Sequence, residues 1–311
     1  MALRPPFLLA LAALLIGLQG CAAAPGTRSL APPTSIATSY DRSDADPALW
    51  VIKDADTTIY LFGTIHLLEP DLVWFDDAVA DAFNASDELV LEMIEPDAAT
   101  AQRGILSRAI ATDGIALRDR LNAEQRAKYD AAMAAHKLPT ATYDKFEPWM
   151  AAISLSLAPM QRLGFDPDQG VEKSIADKAR ARRMTVSALE SFDEQIAIFD
   201  SLPPADQIAF LMSVIDSLSE MQITMDRMVR AWATGDVAGL AALLNDTLST
   251  TPTLDRALLH DRNARWATWV DERMQRSGTV FIAVGAGHLA GGDSVQAMLA
   301  ERGVTAQRID Y

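Results

Sequence analysis

Two apolar runs near opposite ends of the chain end in the same way. Ile59-Tyr60-Leu61-Phe62 stops at Gly63, and Val280-Phe281-Ile282-Ala283-Val284 stops at Gly285. A histidine follows each glycine three residues later, His66 in the first case and His288 in the second. Unbroken apolar runs of this length are typical of strands buried on both faces, as in a parallel sheet covered by helices. Residues just past the carboxyl ends of such strands line the crevice where open α/β sheets bind ligands. Two histidines delivered to that edge from opposite ends of the sequence predict one site closed by the fold. No unit of fixed period is repeated between them, so the pair does not signal a solenoid.

The remaining sequence reads as helices and further strands. Ala48 to Lys53 and Thr57 to Phe62, joined by Asp54-Ala55-Asp56, form a hairpin leading to the first motif. A helix over Asp76 to Asn84 is followed by a buried strand over Asp87 to Met93, with Glu92 at its end. Asp97 to Leu163 is helical, broken at Gly114, Pro139 and Pro148, and reads as a large insertion. Asp166-Pro167-Asp168-Gln169-Gly170 is a loop with helix-capping chemistry. A helix over Val171 to Arg183 and a strand over Met184 to Leu189, ending at Glu190, come next. One long helix is expected from Pro203/Pro204 to Trp232, with Ile208, Leu211, Ile215, Leu218, Met225, Val229 and Trp232 near one face. Met212, Met221, Met225 and Met228 lie on or beside that face. Core packing is the plain reading of them, and an adaptable groove for an extended apolar ligand is the functional one. Helices over Val237 to Leu244 and Leu254 to Arg276 precede the second motif strand, and a helix over Ser294 to Arg302 and a strand over Val304 to Ile309 follow it. The fold class is α/β, a central mixed, mostly parallel sheet with flanking helices and a large helical insertion at about residues 97–165. It forms one domain over residues 48–311.

Residues 1–20 stand outside that domain. Arg4 gives a minimal positive start, and Phe7 to Leu18 is an apolar stretch too short to span a bilayer. Leu18-Gln19-Gly20-Cys21 reads as a bacterial lipobox, with an ordinary cleaved signal as the plainer alternative. Cys21 is the only cysteine, so no disulfide and no thiol nucleophile are expected. Acylated Cys21 would be a lipid anchor to the membrane. Residues 21–47, rich in Ala, Pro, Ser and Thr, read as a flexible tether. The expected location is the bacterial cell envelope, lipid-anchored and facing the periplasm, with the outer membrane favoured. The chain carries 42 acidic and 27 basic residues, a net charge of −15, and no basic cluster interleaved with aromatics. Nucleic acid is therefore excluded as an expected partner.

Four polar residues fall just past apolar strands: His66, Glu92, Glu190 and His288. Imidazole nitrogens and carboxylate oxygens are ligands for Zn, Mn or Co. A divalent metal held by two histidines and one carboxylate activates water. The remaining carboxylate would serve as general base or orient a ligand. Gly63 and Gly285 are expected to let the backbone turn and a substrate approach. The plain alternative is that each histidine is only hydrogen-bonded to backbone. Gly285-Ala286-Gly287-His288-Leu289-Ala290 also satisfies the G-x-G-x-x-A dinucleotide pattern, but the sequence after it does not supply the βαβαβ half that such a site needs. His136 and His260 fall on helices and read as surface or helix-terminal residues. Asp261-Arg262-Asn263, also on a helix, reads as a solvated face or an ion pair. There is no G-x-S-x-G, H-E-x-x-H or P-loop pattern.

Leu61-Phe62-Gly63-Thr64-Ile65-His66, Leu89-Val90-Leu91-Glu92, the run from Gly170 through Leu189-Glu190, Arg262-Asn263 and Val284-Gly285-Ala286-Gly287-His288-Leu289-Ala290-Gly291 resemble the TraB/GumN family in order and spacing. The resemblance covers about Ala48 to Tyr311, and the paired Gly-x-x-His motifs are its specific part. That family includes the TIKI membrane-tethered proteases, which depend on Mn or Co, and TraB-type pheromone-shutdown proteins. The resemblance implies a divalent-metal-dependent hydrolase, a peptidase acting on a peptide or protein substrate. His66 and His288 would be metal ligands, Glu92 matches the family's acidic position, and Arg262 matches its arginine. Asp168 and Glu190 match as further site residues, and Gly287 belongs to the second motif's loop. On this reading Glu92 or Glu190 shuttles the proton, while Arg262 stabilises the oxyanion or a substrate carboxylate. A second expectation is a non-catalytic lipoprotein that sequesters a peptide or binds haem, with His66 or His288 as axial ligand. A third, a role in polysaccharide export, rests on the GumN name alone.

Overall fold

The computed structural model describes residues 41–66, 68, 72–162, 170–248 and 252–311. The signal segment, Cys21, most of the tether and Asp168 lie outside the described residues. Six strands form one sheet: β1 (Leu49–Lys53), β2 (Thr57–Thr64), β3 (Glu88–Met93), β4 (Thr185–Glu190), β5 (Gly278–Gly285) and β6 (Gln307–Arg308). Their order across the sheet is β4-β3-β5-β2-β1-β6. β4, β3, β5 and β2 are mutually parallel, and β1 runs antiparallel to both β2 and β6. The sheet is therefore mixed and mostly parallel. Thr64 pairs with Gly285 and Met93 with Glu190, so the parallel strands end nearly level.

Successive strand residues point to opposite faces, and both faces are covered. Ile59, Leu61, Val280, Ile282 and Val284 pack on one side against Trp266, Val270, Val295 and Leu299. Those partners belong to the helices Asp261–Arg273 and Val295–Glu301. Phe62, Leu89, Leu91, Phe281 and Ala283 pack on the other side with the larger set of helices, including the insertion helices Ala98–Ala109 and Pro148–Arg162. Double burial is why the motif strands read as unbroken apolar runs. Phe62 sits among Phe281, Trp74 and Trp232, with ring centroids 5.7, 5.9 and 6.4 Å away. Trp232 also donates Nε1–H to the Gly63 carbonyl at 2.7 Å, tying this aromatic cluster to the first motif.

The long helix expected from Pro204 to Trp232 is two helices, Pro204–Ser217 and Met221–Ala233, bent by 91°. The first buries Phe210, Leu211 and Val214, and the second buries Met221, Met225, Met228 and Trp232. Leu218-Ser219-Glu220 contains no glycine or proline, so the periodicity runs through a turn that only the two packing surfaces specify. Met221, Met225 and Met228 are core residues, as in the plain reading. No single helix among the described residues is long and apolar enough to cross a membrane. The helix expected over Leu254 to Arg276 contains a π-helical segment, Arg256–His260, just before Asp261–Arg273. Residues of the expected tether nearest β1 are packed: Ala45 is buried, and Asp46 N–H donates to Ala233 O at 2.8 Å.

Candidate functional site

The carboxyl edge of the parallel strands gathers His66, Glu92, Glu190 and His288, as their sequence positions predict. Glu92, Glu190 and His288 are buried, and the His66 side chain is 11% exposed. Glu92 Oε2 accepts a hydrogen bond from Gly285 N–H at 3.0 Å. Its Oε1 accepts from Gln195 Nε2 at 2.9 Å and from Arg262 Nη2. Burial alone would raise the Glu92 carboxyl, but Arg262, with His288 and His66, together outweigh it and hold the group well below the usual carboxylate range.

Arg262 and Asn263 are buried, so of the two readings of this stretch the solvated face fails and the ion pair holds for Arg262. Arg262, Trp266 and Val270, at i, i+4 and i+8, face the sheet and not the solvent. Arg262 donates Nε–H to both oxygens of Glu190, at 3.0 and 2.9 Å. Its Nη1 donates to Leu258 O at 3.0 Å and to His288 Nε2 at 3.0 Å. Leu258 lies in the π-helical segment, a feature frequent at functional sites. In this structure every contact of Arg262 goes to the protein's own groups, and none is left facing a place for an oxyanion or substrate carboxylate. Its guanidinium lies between two buried carboxylates, and burial, which would lower its pKa, is outweighed by Glu92 and Glu190. Glu190 is further held by Arg265 Nη2 at 3.0 Å and Trp266 Nε1 at 3.2 Å. It is a clamped anion and not a free base.

The two histidines differ. His288 Nδ1 lies 2.6 Å from Asn263 Oδ1, and its ring centroid is 4.2 Å from that of Trp266. Burial, then the charge of Arg262, push the His288 imidazole down to about 3, so the ring is neutral at pH 7. His66 Nδ1 lies 2.9 Å from Glu172 Oε1, close enough for an ion pair but not aligned as a hydrogen bond. Burial would lower the His66 pKa, but Glu172 and then Glu92 together outweigh it and raise the ring above its ordinary value. Glu172 stands in the first turn of the helix Val171–Arg182, where acidic side chains suit the helix dipole. Val171 N–H bonds Ile65 O at 3.0 Å, and Thr64 Oγ1 bonds the Glu172 carboxylate, so the helix start is fastened beside His66.

The linkage for His288 has a definite sign. An unfolded ring takes up a proton below its ordinary 6.5, whereas the folded ring does so only near 3. The stability it contributes is present above pH 6.5 and is lost as the pH falls toward 3. His288→Gln removes that titration. In urea titrations over this window the variant's unfolding free energy should fall less steeply with acid, by up to about 1.4 kcal/mol per pH unit. Equal slopes would mean that the folded ring is not held neutral.

The glycines divide into two kinds. A Cβ added at Gly63 would stand 3.0 Å from both Cα and Cβ of Ala286, and one at Gly287 would stand 3.2 Å from Leu244 Cδ1. These two allow close packing and not substrate access. A Cβ at Gly285 would lie 3.4 Å from Glu92 Oε2, 3.6 Å from His288 Cδ2 and 3.7 Å from His66 Nε2. Of the three, only Gly285 would place a Cβ against the polar cluster, at ordinary contact distances. Gly63→Ala should therefore lower stability by about 1–3 kcal/mol, while Gly285→Ala should leave the melting temperature close to wild type. A larger loss for Gly285→Ala than for Gly63→Ala would reverse this assignment. The dinucleotide pattern is also settled here: the Gly285 N–H already holds a carboxylate, and residues 286–289 form a short 3₁₀ turn. His136 caps the helix Ala123–Ala135, and His260 pairs with Asp261 at 3.1 Å, both away from the strand ends.

Two imidazoles and a carboxylate are the right donors for a divalent ion, His66 giving up its proton when it binds one. His66 Nε2 and Glu92 Oε2 both lie within 4 Å of where a Gly285 Cβ would stand, so these two residues fit as ligands, although with His288 the three ligand atoms as placed do not all come within 4.8 Å of one another. His288 Nε2 lies 3.9 Å from Glu92 Oε2 but accepts from Arg262. It fits as a third ligand when Arg262 gives up that contact. Glu172, Gln195 and the role of Asn263 escaped the sequence reading. Glu172 and Gln195 sit in first helical turns beside motif strands, and that position was the only sequence signal available.

The sequence model of the TraB/PrgY/gumN family matches residues 48–308. A Treponema pallidum (strain Nichols) protein described as uncharacterized is 24% identical over 277 residues, covering 84% of this chain and 82% of that protein. YbaP of Escherichia coli (strain K12), also described as uncharacterized, is 22% identical over 253 residues, covering 81% of this chain and 92% of YbaP. No solved structure matches.

Proposed function

The chain belongs to the TraB/PrgY/gumN family, and on that premise we propose that it is a lipid-anchored hydrolase of the cell envelope that cleaves peptide bonds with the help of a divalent metal. The observation that carries this reading is that Glu92 Oε2, His288 Cδ2 and His66 Nε2 lie 3.4, 3.6 and 3.7 Å from where a Cβ on Gly285 would stand, with His288 Nε2 3.9 Å from Glu92 Oε2. His66, Glu92 and His288 would hold Mn, Co or Zn. Such an ion supplies Lewis acidity, polarising a carbonyl and making water a better nucleophile. Glu92 stays ionised and anchors positive charge, so the proton-shuttling role expected for it does not suit its environment. Glu190 acts one step back by fixing Arg262. Gln195 is buried, grips Glu92 through Nε2 and leaves its Oε1 without a hydrogen bond. That oxygen is an acceptor suited to a peptide N–H. Acylated Cys21 would keep the domain at the membrane facing the periplasm.

One observation favours a second reading. The His66–Glu172 pair joins an imidazole of raised pKa to a carboxylate, an arrangement suited to general-base catalysis without metal. The test for both is cleavage of an unstructured peptide library by the purified protein with added Mn, Co or Zn and with chelator. Metal-dependent cleavage supports the first reading, and chelator-resistant cleavage that is lost in Glu172→Gln supports the second. No cleavage under any condition would leave a binding protein.

A further inference from the structure

Asn263 lies one residue beyond Arg262 on the helix Asp261–Arg273 and is 1% exposed. Its amide makes two contacts. Nδ2 donates to the backbone carbonyl of Asp293 at 2.8 Å, and Oδ1 faces His288 Nδ1 at 2.6 Å. The first contact fixes the orientation of the amide, because a carbonyl can only accept. The second then fixes the imidazole: an amide oxygen also only accepts, so His288 Nδ1 must carry the proton. A neutral ring with its proton on Nδ1 has a bare Nε2. The opposite side of the ring agrees independently, since Arg262 Nη1 stands 3.0 Å from Nε2 and a guanidinium can only donate. The Trp266 ring, 4.2 Å from the imidazole, restricts its rotation.

We propose that Asn263 is a positioning residue that sets the tautomer and ring orientation of His288, so that a bare Nε2 is presented on the side of Glu92 and Arg262. The relay runs from a main-chain carbonyl through an amide to an imidazole and ends on the nitrogen that a metal or a substrate proton would use. Partners of this kind raise ligand affinity by holding the ring ready. Glu172 stands at Nδ1 of His66 in the equivalent place, but its contact is not aligned as a hydrogen bond, so the inference is confined to Asn263.

Two measurements test it, and the first does not depend on the metal reading. Long-range proton–nitrogen NMR correlations on the ¹⁵N-histidine-labelled protein, at mildly alkaline pH, report which ring nitrogen is protonated. The protein has four histidines, so His66→Gln, His136→Gln and His260→Gln together complete the assignment. His288 should show a protonated Nδ1 and a bare Nε2, and the reverse pattern overturns the proposal. The second measurement rests on the metal reading and uses calorimetric titration with Mn, Co or Zn alone. Asn263→Leu, which removes the acceptor, should weaken binding about 10–100-fold. Asn263→Asp, which keeps an acceptor for Nδ1 but loses the donor that meets Asp293 O, should lose clearly less affinity than Asn263→Leu. Equal losses in both variants, or unchanged affinity in Asn263→Leu, would reduce Asn263 to a merely structural residue and sink the proposal. If the wild-type protein binds none of the three metals, the metal reading fails, and the NMR result still decides the tautomer.

Discussion

Replacing Arg262 by methionine should lower folding stability by about 3–5 kcal/mol, the usual cost of breaking a buried ion pair by removing one partner. Methionine keeps most of the volume of the stem but leaves Glu92 and Glu190 buried without the cation that both contact. Arg265 cannot compensate, because its side chain is 60% exposed and reaches only Glu190. The loss has a predictable pH dependence. Glu92 is held below its ordinary 4.5 in the folded protein, so the stability gained from its pairing is present above that pH and lost as acid protonates the group. The difference between wild type and Arg262→Met should be largest near neutrality and shrink below about pH 4.5. Arg262→Met combined with Glu92→Gln and Glu190→Gln should recover much of the loss, since no buried charge is then left unpaired. Urea denaturation across pH measures all of these. A single-variant loss under about 1 kcal/mol would mean that the two carboxylates find water or another cation, and that Arg262 is not the clamp described here.

Replacing both His66 and His288 by alanine should abolish metal binding by the purified protein while leaving it folded. His66 is 11% exposed but His288 is buried against Trp266, so circular dichroism must show that the double variant is folded before its metal binding is read. The loss in affinity should exceed the roughly 100-fold that removal of a residue behind a ligand produces. Elemental analysis of the wild-type protein should find about one Mn, Co or Zn per chain. The single variants separate the two histidines. His66 Nε2 lies near Gly285 without a competing donor among the described residues, whereas His288 Nε2 is shared with Arg262. His66→Ala should therefore weaken binding more than His288→Ala. Unchanged metal content and affinity in the double variant would remove the metal from this site.

The strand pattern made the site's location legible. An apolar run buried on both faces has one address in a parallel sheet, and whatever follows its carboxyl end must emerge at the crevice. That reasoning placed His66, Glu92, Glu190 and His288 together from four separate stretches of chain. The same local logic failed for Arg262 and Asn263. A helix position looks solvated when its neighbours Asp261 and Arg265 are charged, and only the docking of Trp266 and Val270 on the sheet shows which side is buried. It failed too for the bend near Leu218, where two helices meet different surfaces without a glycine or proline to mark the change.

By itself, the sequence determined the α/β class, the parallel strands and the edge to which the histidines are delivered, because alternation and burial act over a few neighbouring residues. Only the tertiary structure decided which partner each polar group has: Glu172 for His66, Asn263 for His288, and Arg262 between Glu92 and Glu190. Those choices depend on distances of about 3 Å and on bond angles between elements far apart in the chain. Side-chain packing sets such distances, and no local pattern encodes them.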